Sequence, residues 1–285
     1  MLNNIGLTPM GNVTFAPPIP PPPPWNISSM VYSGLSFDTV AQGGGEFIVL
    51  SPDGTKMYWF DLTNLFEYTL STPYKIDTAG YTGNTIAIVL AGGQGTSFTF
   101  SEDGTTMYFL YWTTLSRSIV QYTLSSAWDI TTAVLLGSSL IVSADGTNYY
   151  RGMDISPDGT RAYVVSNVVA VPTIDEYTLS IAGDVSTGTL THSSAFPSSP
   201  VTDPISFSIS TDGQTLVIAD QNYHIYVFAL GTAWNVTTMT YLRDLGTTVP
   251  PVNNPDAWGM IVDSLGNKLY AIDGSAHHIY QYTLS

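Results

Sequence analysis

The tetrapeptide Ser51-Pro52-Asp53-Gly54 returns along the chain, and its return constrains the architecture more than any other feature. It reappears as Ser-Glu-Asp-Gly at 101–104, Ser-Pro-Asp-Gly at 156–159, Ser-Thr-Asp-Gly at 210–213 and, weakly, Asp-Ser-Leu-Gly at 263–266, about 50 to 55 residues apart. Behind each stands a second box, Tyr-Thr-Leu-Ser at 68–71, 122–125, 177–180 and 282–285, with Phe-Ala-Leu-Gly at 228–231. A third box follows: Tyr74-Lys75-Ile76, Trp128-Asp129-Ile130, Gly183-Asp184-Val185 and Trp234-Asn235-Val236. The fifth repeat stops at Ser285 before its third box, and the missing box is Trp25-Asn26-Ile27, near the other end of the chain. Self-similarity at this period means an array of like units. The split fifth copy means that the array is a ring, with the N-terminal segment supplying the last strand of the final unit.

Each period holds four strand-like runs; in the first copy they cover 46–51, 56–60, 65–70 and 84–90. β-branched and aromatic residues dominate them, and no window carries a helical stripe. The Asp-Gly pairs suit tight hairpin turns, because Asp caps the turn and Gly accepts a positive φ. The expected fold is all-β: a single five-bladed β-propeller of four-stranded antiparallel blades over residues 25–285, closed by an N-terminal strand. A proline-rich extended arm, residues 1–24, precedes it.

The pattern SPDGTKMY (51–58), YTLS and WDITTA (128–133) resembles the YVTN- and NHL-type propeller repeats of bacterial and phage proteins, in particular propellers encoded by marine bacteriophages and bacteria. The resemblance covers 25–285 and implies the fold. Propellers host enzymes, lectins and scaffolds alike, so it implies little about activity.

Composition narrows the partners. Seven basic against 22 acidic residues give a formal charge of −15, with no Lys/Arg cluster. Nucleic acid and anionic membrane surfaces are excluded as partners on this balance. The chain has no cysteine, hence no disulfide framework or thiolate metal site. The first fifteen residues lack a basic segment and a continuous apolar run, so no secretory signal is expected. No phosphate loop, dinucleotide fingerprint, nucleophile elbow or metalloprotease motif occurs, and neither a cofactor nor a metal is expected. The four histidines (His192, His224, His277 and His278) read as exposed loop residues.

Candidate site residues fall in three groups. Where the first strands of the blades converge on the axis, the residue five places before each turn box is Glu46, Thr96, Arg151, Ile205 or Trp258. Glu46, Arg151 and Trp258 break the symmetry of this row; with Asp154 and Asp256 they form the expected ligand-binding mouth. The row three places further on is Val49, Thr99, Asp154, Ser208 and Ile261. Aromatic residues outside the boxes, Tyr111, Trp112, Tyr149, Tyr150 and Tyr223, are expected in surface loops, where binding is usually carried. The stretches 110–118 and 167–173 look like lengthened loops. In the arm, 16–24 is a near-continuous proline run, a stiff polyproline II spacer of roughly 25 Å. Ahead of it Ile5, Leu7, Met10 and Phe15 are expected to anchor the chain to a partner rather than to form a free tail.

A rigid ring on a stiff tether, without cysteine and without an export signal, fits a protein that assembles in the host cytoplasm and acts outside it. With the phage-like repeat, the expectation is a non-enzymatic virion structural protein: a tail-fibre or receptor-binding component, or a capsid decoration. Its partners would be other virion proteins through residues 1–24 and a host-surface glycan or receptor. The alternatives are a secreted or cell-surface lectin-like propeller, and a carbohydrate-active hydrolase using Glu46, Asp154 and Asp256 as its acid and base.

Overall fold

The computed structural model describes the chain from Trp25 to Ser285, apart from positions 44, 46, 89–92, 114–115, 144–148, 168–170, 198–199, 223, 248–256 and 274–276. Of residues 138, 143, 149, 257 and 258 it describes the backbone alone. The arm, with Ile5, Leu7, Met10 and Phe15, lies outside the described residues.

Twenty strands, numbered in chain order, form five four-stranded antiparallel sheets. Blade 1 is β2 (Phe47–Leu50), β3 (Lys56–Phe60), β4 (Asn64–Leu70) and β5 (Ala79–Ala87). Blade 2 is β6 (Gln94–Phe100), β7 (Thr106–Trp112), β8 (Arg117–Leu124) and β9 (Ala133–Ser143). Blade 3 is β10 (Tyr149–Ile155), β11 (Arg161–Asn167), β12 (Thr173–Leu179) and β13 (Gly188–Ala195). Blade 4 is β14 (Pro204–Ile209), β15 (Thr215–Asp220), β16 (His224–Leu230) and β17 (Met239–Thr247). Blade 5 is β18 (Ala257–Val262), β19 (Lys268–Asp273), β20 (His278–Leu284) and, from the other end of the chain, β1 (Met30–Asp38), which pairs antiparallel with β20 from Met30↔Leu284 to Asp38↔His278. The first strands β2, β6, β10, β14 and β18 meet around the axis. The molecule is a five-bladed β-propeller closed as expected. The fourth strand of blade 1 begins earlier than the apolar run at 84–90, because the third box ends in a 3₁₀ turn, Ile76–Thr78, that leads straight into β5.

Each box has a mechanical role. In the first, Ser51 Oγ donates to Asp53 Oδ1 (2.6 Å) and accepts from Lys56 N–H (2.9 Å), while Asp53 Oδ1 accepts from Thr55 N–H (3.0 Å). These bonds satisfy a tight turn whose Gly54 sits at φ 68°. The third box places Tyr74, Trp128 and Trp234 at φ values of 59–61°, with Gly183 at 76°. Each N–H then donates to the turn glycine of its own blade, for example Trp128 N–H to Gly104 O at 2.9 Å. The aromatic ring folds over that glycine: a Cβ on Gly104 would lie 2.2 Å from Trp128 Cε2.

The core is five wedges between neighbouring blades, one per junction. A repeated clasp ties four of the junctions. Tyr58 Oη donates to Trp128 O (2.6 Å), Tyr108 Oη to Gly183 O (3.0 Å), Tyr163 Oη to Trp234 O (2.6 Å) and Tyr270 Oη to Tyr74 O (2.8 Å). Three of these carbonyls also accept from Lys56, Arg161 or Lys268. Gln281, Gln121 and Glu176 accept from the backbone N–H of Ile76, Val185 and Val236 in the next blade. The junction of blades 4 and 5 differs. Val217 and Val227 stand where the tyrosine and the acceptor would be, and Thr215 Oγ1 to Trp25 O (3.3 Å) replaces the clasp. That junction is held by apolar packing of Trp25, Ile27, Val217, Val227, Met260 and Tyr282.

Antiparallel blades sort their connections onto two faces. All turn boxes, all third boxes, Trp25 and Ser285 lie on one face, the turn face. The second-to-third strand loops and the blade-to-blade connections lie on the other, the loop face. Every outer-strand pairing contains a register shift, which twists the exposed edge away from further pairing.

Candidate functional site

The inner strands leave a channel along the axis. The row Val49, Thr99, Asp154, Ser208 and Ile261 forms its waist, shared by a cavity of about 140 Å³ toward the turn face and one of about 50 Å³ beyond. Asp154 is the one ionisable member of this row. The serines beside it hold backbone: Ser97 Oγ accepts from Met153 N–H (3.3 Å), Ser208 Oγ accepts from Val262 N–H (3.1 Å), and Ser206 Oγ donates to Met260 O (2.7 Å). These serines bridge inner strands of adjacent blades, which are not paired by a backbone ladder.

Trp25, Trp128 and Trp234 line the larger cavity together with three carboxyl residues, Glu102, Asp154 and Asp263. None of the described lining residues is basic. Asp154 Oδ1 accepts from Ile155 N–H at 2.9 Å. Burial in the narrow channel, reinforced by the charge of Glu102, pushes its carboxyl up to about 7. Burial also raises Glu102, with Asp103 adding to it, and raises Asp263. Asp263 takes the place of the turn serine in blade 5: its Oδ1 accepts from Asn267 N–H (2.7 Å) and Lys268 N–H (3.1 Å), and its buried Oδ2 has no partner.

Of the expected mouth residues, Asp154 is on the axis. Glu46 and Asp256 lie outside the described residues, as does the side chain of Trp258. Of the row containing Arg151, the described side chains Thr96, Arg151 and Ile205 line neither cavity. In blades 2 to 5 the register shifts there, between Gly95/Ser97, Tyr150/Met153, Pro204/Ser206 and Ala257/Gly259. Thr96, Arg151 and Ile205 are bulge residues, and a bulge re-aims each side chain individually. Ile205 is fully buried between blades, and Arg151 is half-buried and does not line either cavity. Sequence reading missed Trp25, Trp128, Trp234, Glu102 and Asp263. For the two acids the signal was present as departures within the boxes: Glu102 where other repeats have Pro, Thr or Ser, and Asp263 where they have Ser.

On the loop face, Tyr111 and Trp112 are half-exposed at the end of β7. The Arg117 guanidinium lies 5.0 Å from the Trp112 ring centroid. The stretch 110–118 is a longer hairpin rather than a longer loop: β7 runs to Trp112 and β8 starts at Arg117. Tyr150 is not a surface-loop residue. It is 6% exposed within β10, and its Oη donates to Asp175 Oδ2 at 3.2 Å. Tyr149 also lies in β10, and Tyr223 is outside the described residues. His224 and His278 are half-buried strand residues stacked on Tyr226 and Tyr280, not exposed loop residues; His224 Nδ1 lies 2.7 Å from Asp244 Oδ2.

The fold and the axial cavity together define a five-bladed β-propeller with an acidic, tryptophan-lined mouth. No protein-family model matches the chain, and no curated protein matches it. The YVTN/NHL resemblance is therefore supported at the level of fold only. Among solved structures, the chain is similar to a candidate 6-phosphogluconolactonase from Bacteroides uniformis, at 13% identity over 84% of this chain and 66% of that one, with a TM-score of 0.50. A functionally unknown protein from Desulfotomaculum acetoxidans matches at 13% identity over 81% of this chain and 63% of its own, TM-score 0.46. A Lactobacillus plantarum protein matches at 16% identity over 72% and 59%, TM-score 0.43. The chain thus spans about three fifths of the length of these last two. At such identities the likeness is one of fold.

Proposed function

We propose that the protein is a non-enzymatic structural protein of a bacteriophage particle, a tail-fibre or receptor-binding component or a capsid decoration, held by residues 1–24 and presenting its loop face to a host-surface glycan or protein. One observation carries the reading. The chain enters the ring at Trp25 on the turn face, whereas the irregular hairpins and blade connections lie on the opposite face. A tether on one face and variable loops on the other is the layout of a display module. The half-exposed pair Tyr111 and Trp112 suits stacking on a sugar ring or packing against a protein.

A hydrolase is the second reading, favoured by Asp154: a carboxyl raised to about 7 can exchange a proton at neutral pH. The lactonase-like neighbour does not strengthen it, because a phosphorylated substrate would meet three carboxylates and no basic side chain in the described lining.

Residues 1–24 should be required for incorporation into particles and dispensable for folding. Deleting them, and separately introducing Phe15→Asp, should yield soluble propeller that no longer co-purifies with virions, since docking would bury an unpaired charge. Trp112→Ala should weaken binding on a glycan array or to host cells while leaving incorporation intact. Absence of the protein from purified virions, or hydrolysis of a glycoside or lactone abolished by Asp154→Asn, would overturn the proposal.

A further inference from the structure

The turn face carries an aromatic surface at the mouth of the larger axial cavity. The second residue of each turn box stands on its rim, and Trp25, Trp128 and Trp234 stand in its wall. One face of each indole covers a turn glycine. The Nε1–H groups of Trp128 and Trp234 lie over those glycines, make no hydrogen bond among the described residues, and are not sealed from solvent. An indole Nε1–H only donates, so the mouth offers rings together with two free donors.

That combination fits one kind of chain. Polyproline II has no internal hydrogen bonds, so its carbonyls are left to accept, and proline has no N–H that would need an acceptor in return. Its rings pack into aromatic-lined grooves. A segment of this chemistry adjoins the mouth. Residues 16–24 are all proline except Ala16 and Ile19, and residues 1–24 carry no charged side chain to meet the acidic wall. Pro24 is bonded to Trp25, itself a wall residue. In the sequence Pro24 holds the place of Pro73, Ala127, Ala182 and Ala233, each exposed on the turn face. The proline run therefore begins at the edge of the mouth. At roughly 25 Å it is long enough to pass from Trp25 over a cavity of about 140 Å³ and the other two indoles that line it.

We propose that the proline run of the chain's own arm, residues 16–24, docks across this mouth, its rings against Trp25, Trp128 and Trp234 and its carbonyls accepting from the indole N–H groups of Trp128 and Trp234. The docked run covers the turn-face end of the axial channel and makes the arm leave the ring in a fixed direction. The contact lies within one chain, so it holds whatever residues 1–15 are attached to and does not rest on the assembly reading above.

Two forms of the full chain test this: wild type, and a variant with Gly and Ser in place of the prolines at 17, 18 and 20–24. A synthetic peptide of sequence APPIPPPPP, capped at both ends, is titrated into each, with binding read by indole fluorescence and calorimetry. The Gly/Ser variant should bind it saturably at one site. Wild type should bind at least about tenfold more weakly, because its tethered run competes at an effective concentration in the millimolar range. A Gly/Ser peptide of equal length should not bind. Trp128→Tyr and Trp234→Tyr, each made in the Gly/Ser variant, keep a ring of the kind Tyr74 supplies in blade 1 but remove the indole donor. Each should weaken the peptide, and the two together at least about tenfold, with circular dichroism showing which variants are folded. No saturable binding to the Gly/Ser variant overturns the proposal. So does equal affinity for the two forms, equal binding of the Gly/Ser peptide, or affinity unchanged in the folded Tyr variants. Self-association of wild type that the Gly/Ser variant lacks also overturns it, since the run would then dock on another copy.

Discussion

Trp25 lies over Gly266: a Cβ at that glycine would stand 2.2 Å from the indole Cδ1. The contact joins the first described residue to the last turn box and repeats what Trp128 does over Gly104 and Trp234 over Gly213. Gly266 also sits at φ 69°, so a side chain there meets both a steric and a backbone penalty. Trp25→Ala should cost about 3 to 5 kcal/mol, as buried large-to-small changes do, and Gly266→Ala should also lower the melting temperature. Melting curves that match wild type for both would mean that the N-terminal box does not hold the ring.

Removal of residues 1–24 and removal of residues 1–38 should behave oppositely. The first leaves every described strand in place; the second deletes β1, the outer partner of β20, and the Trp25 and Ile27 side chains buried at the blade 4–5 junction. Limited proteolysis and thermal melts should show an intact ring in the first case and a cooperative loss of stability in the second.

The tyrosine clasps should be individually measurable. Tyr58→Phe removes the 2.6 Å bond to Trp128 O and should cost about 1 kcal/mol. Trp128 O keeps its bond from Lys56, so the double variant Tyr58→Phe/Lys56→Met should cost more than either change alone. A double-mutant cycle would detect the shared acceptor as non-additivity.

Stability should fall as pH rises through the neutral range. Asp154 holds its proton to about pH 7 in the fold, against about 3.9 when unfolded. The folded state therefore binds more protons between those values, and this contribution is complete at low pH and lost on passing pH 7. Glu102, Asp220 and Asp263 are shifted in the same direction. The turn aspartates Asp53, Asp103 and Asp158 are lowered by bonds from Ser and Thr and act the other way, in more acidic solution. Asp154→Asn should raise the melting temperature at pH 8 more than at pH 5. Equal shifts at the two pH values would contradict the assignment.

Much of the ring was legible because its turns and clasps reuse the same residues. Ser51, Asp53 and Gly54 each answer a local geometric demand, so their repetition revealed blade number, strand order and the split fifth blade. Asp154 was found on the axis by counting from the turn. Three places earlier in blades 2 to 5 the counting gives no common direction, because the register shifts there between Gly95/Ser97, Tyr150/Met153, Pro204/Ser206 and Ala257/Gly259. Tyr150 misled for a related reason: its aromatic ring and polar tip suit an exposed loop, yet Asp175 lets it be buried. The tryptophans of the third box looked purely structural, since one face of each ring is used to cover a turn glycine. That the same rings also line the axial cavity follows only from how the blades converge.

The ring's closure also sets an order of events in synthesis. β1 is the first described strand to leave the ribosome and β20 the last, with four complete blades between them. Until translation reaches β20, β1 has no partner for its backbone and Trp25 has no turn to cover. A bare strand edge invites misplaced pairing, and the bulge between Tyr32 and Leu35 blunts this one during the wait. Sealing is thus deferred until β20 has been made, at the junction where apolar contact, rather than a tyrosine clasp, brings the two ends of the ring together.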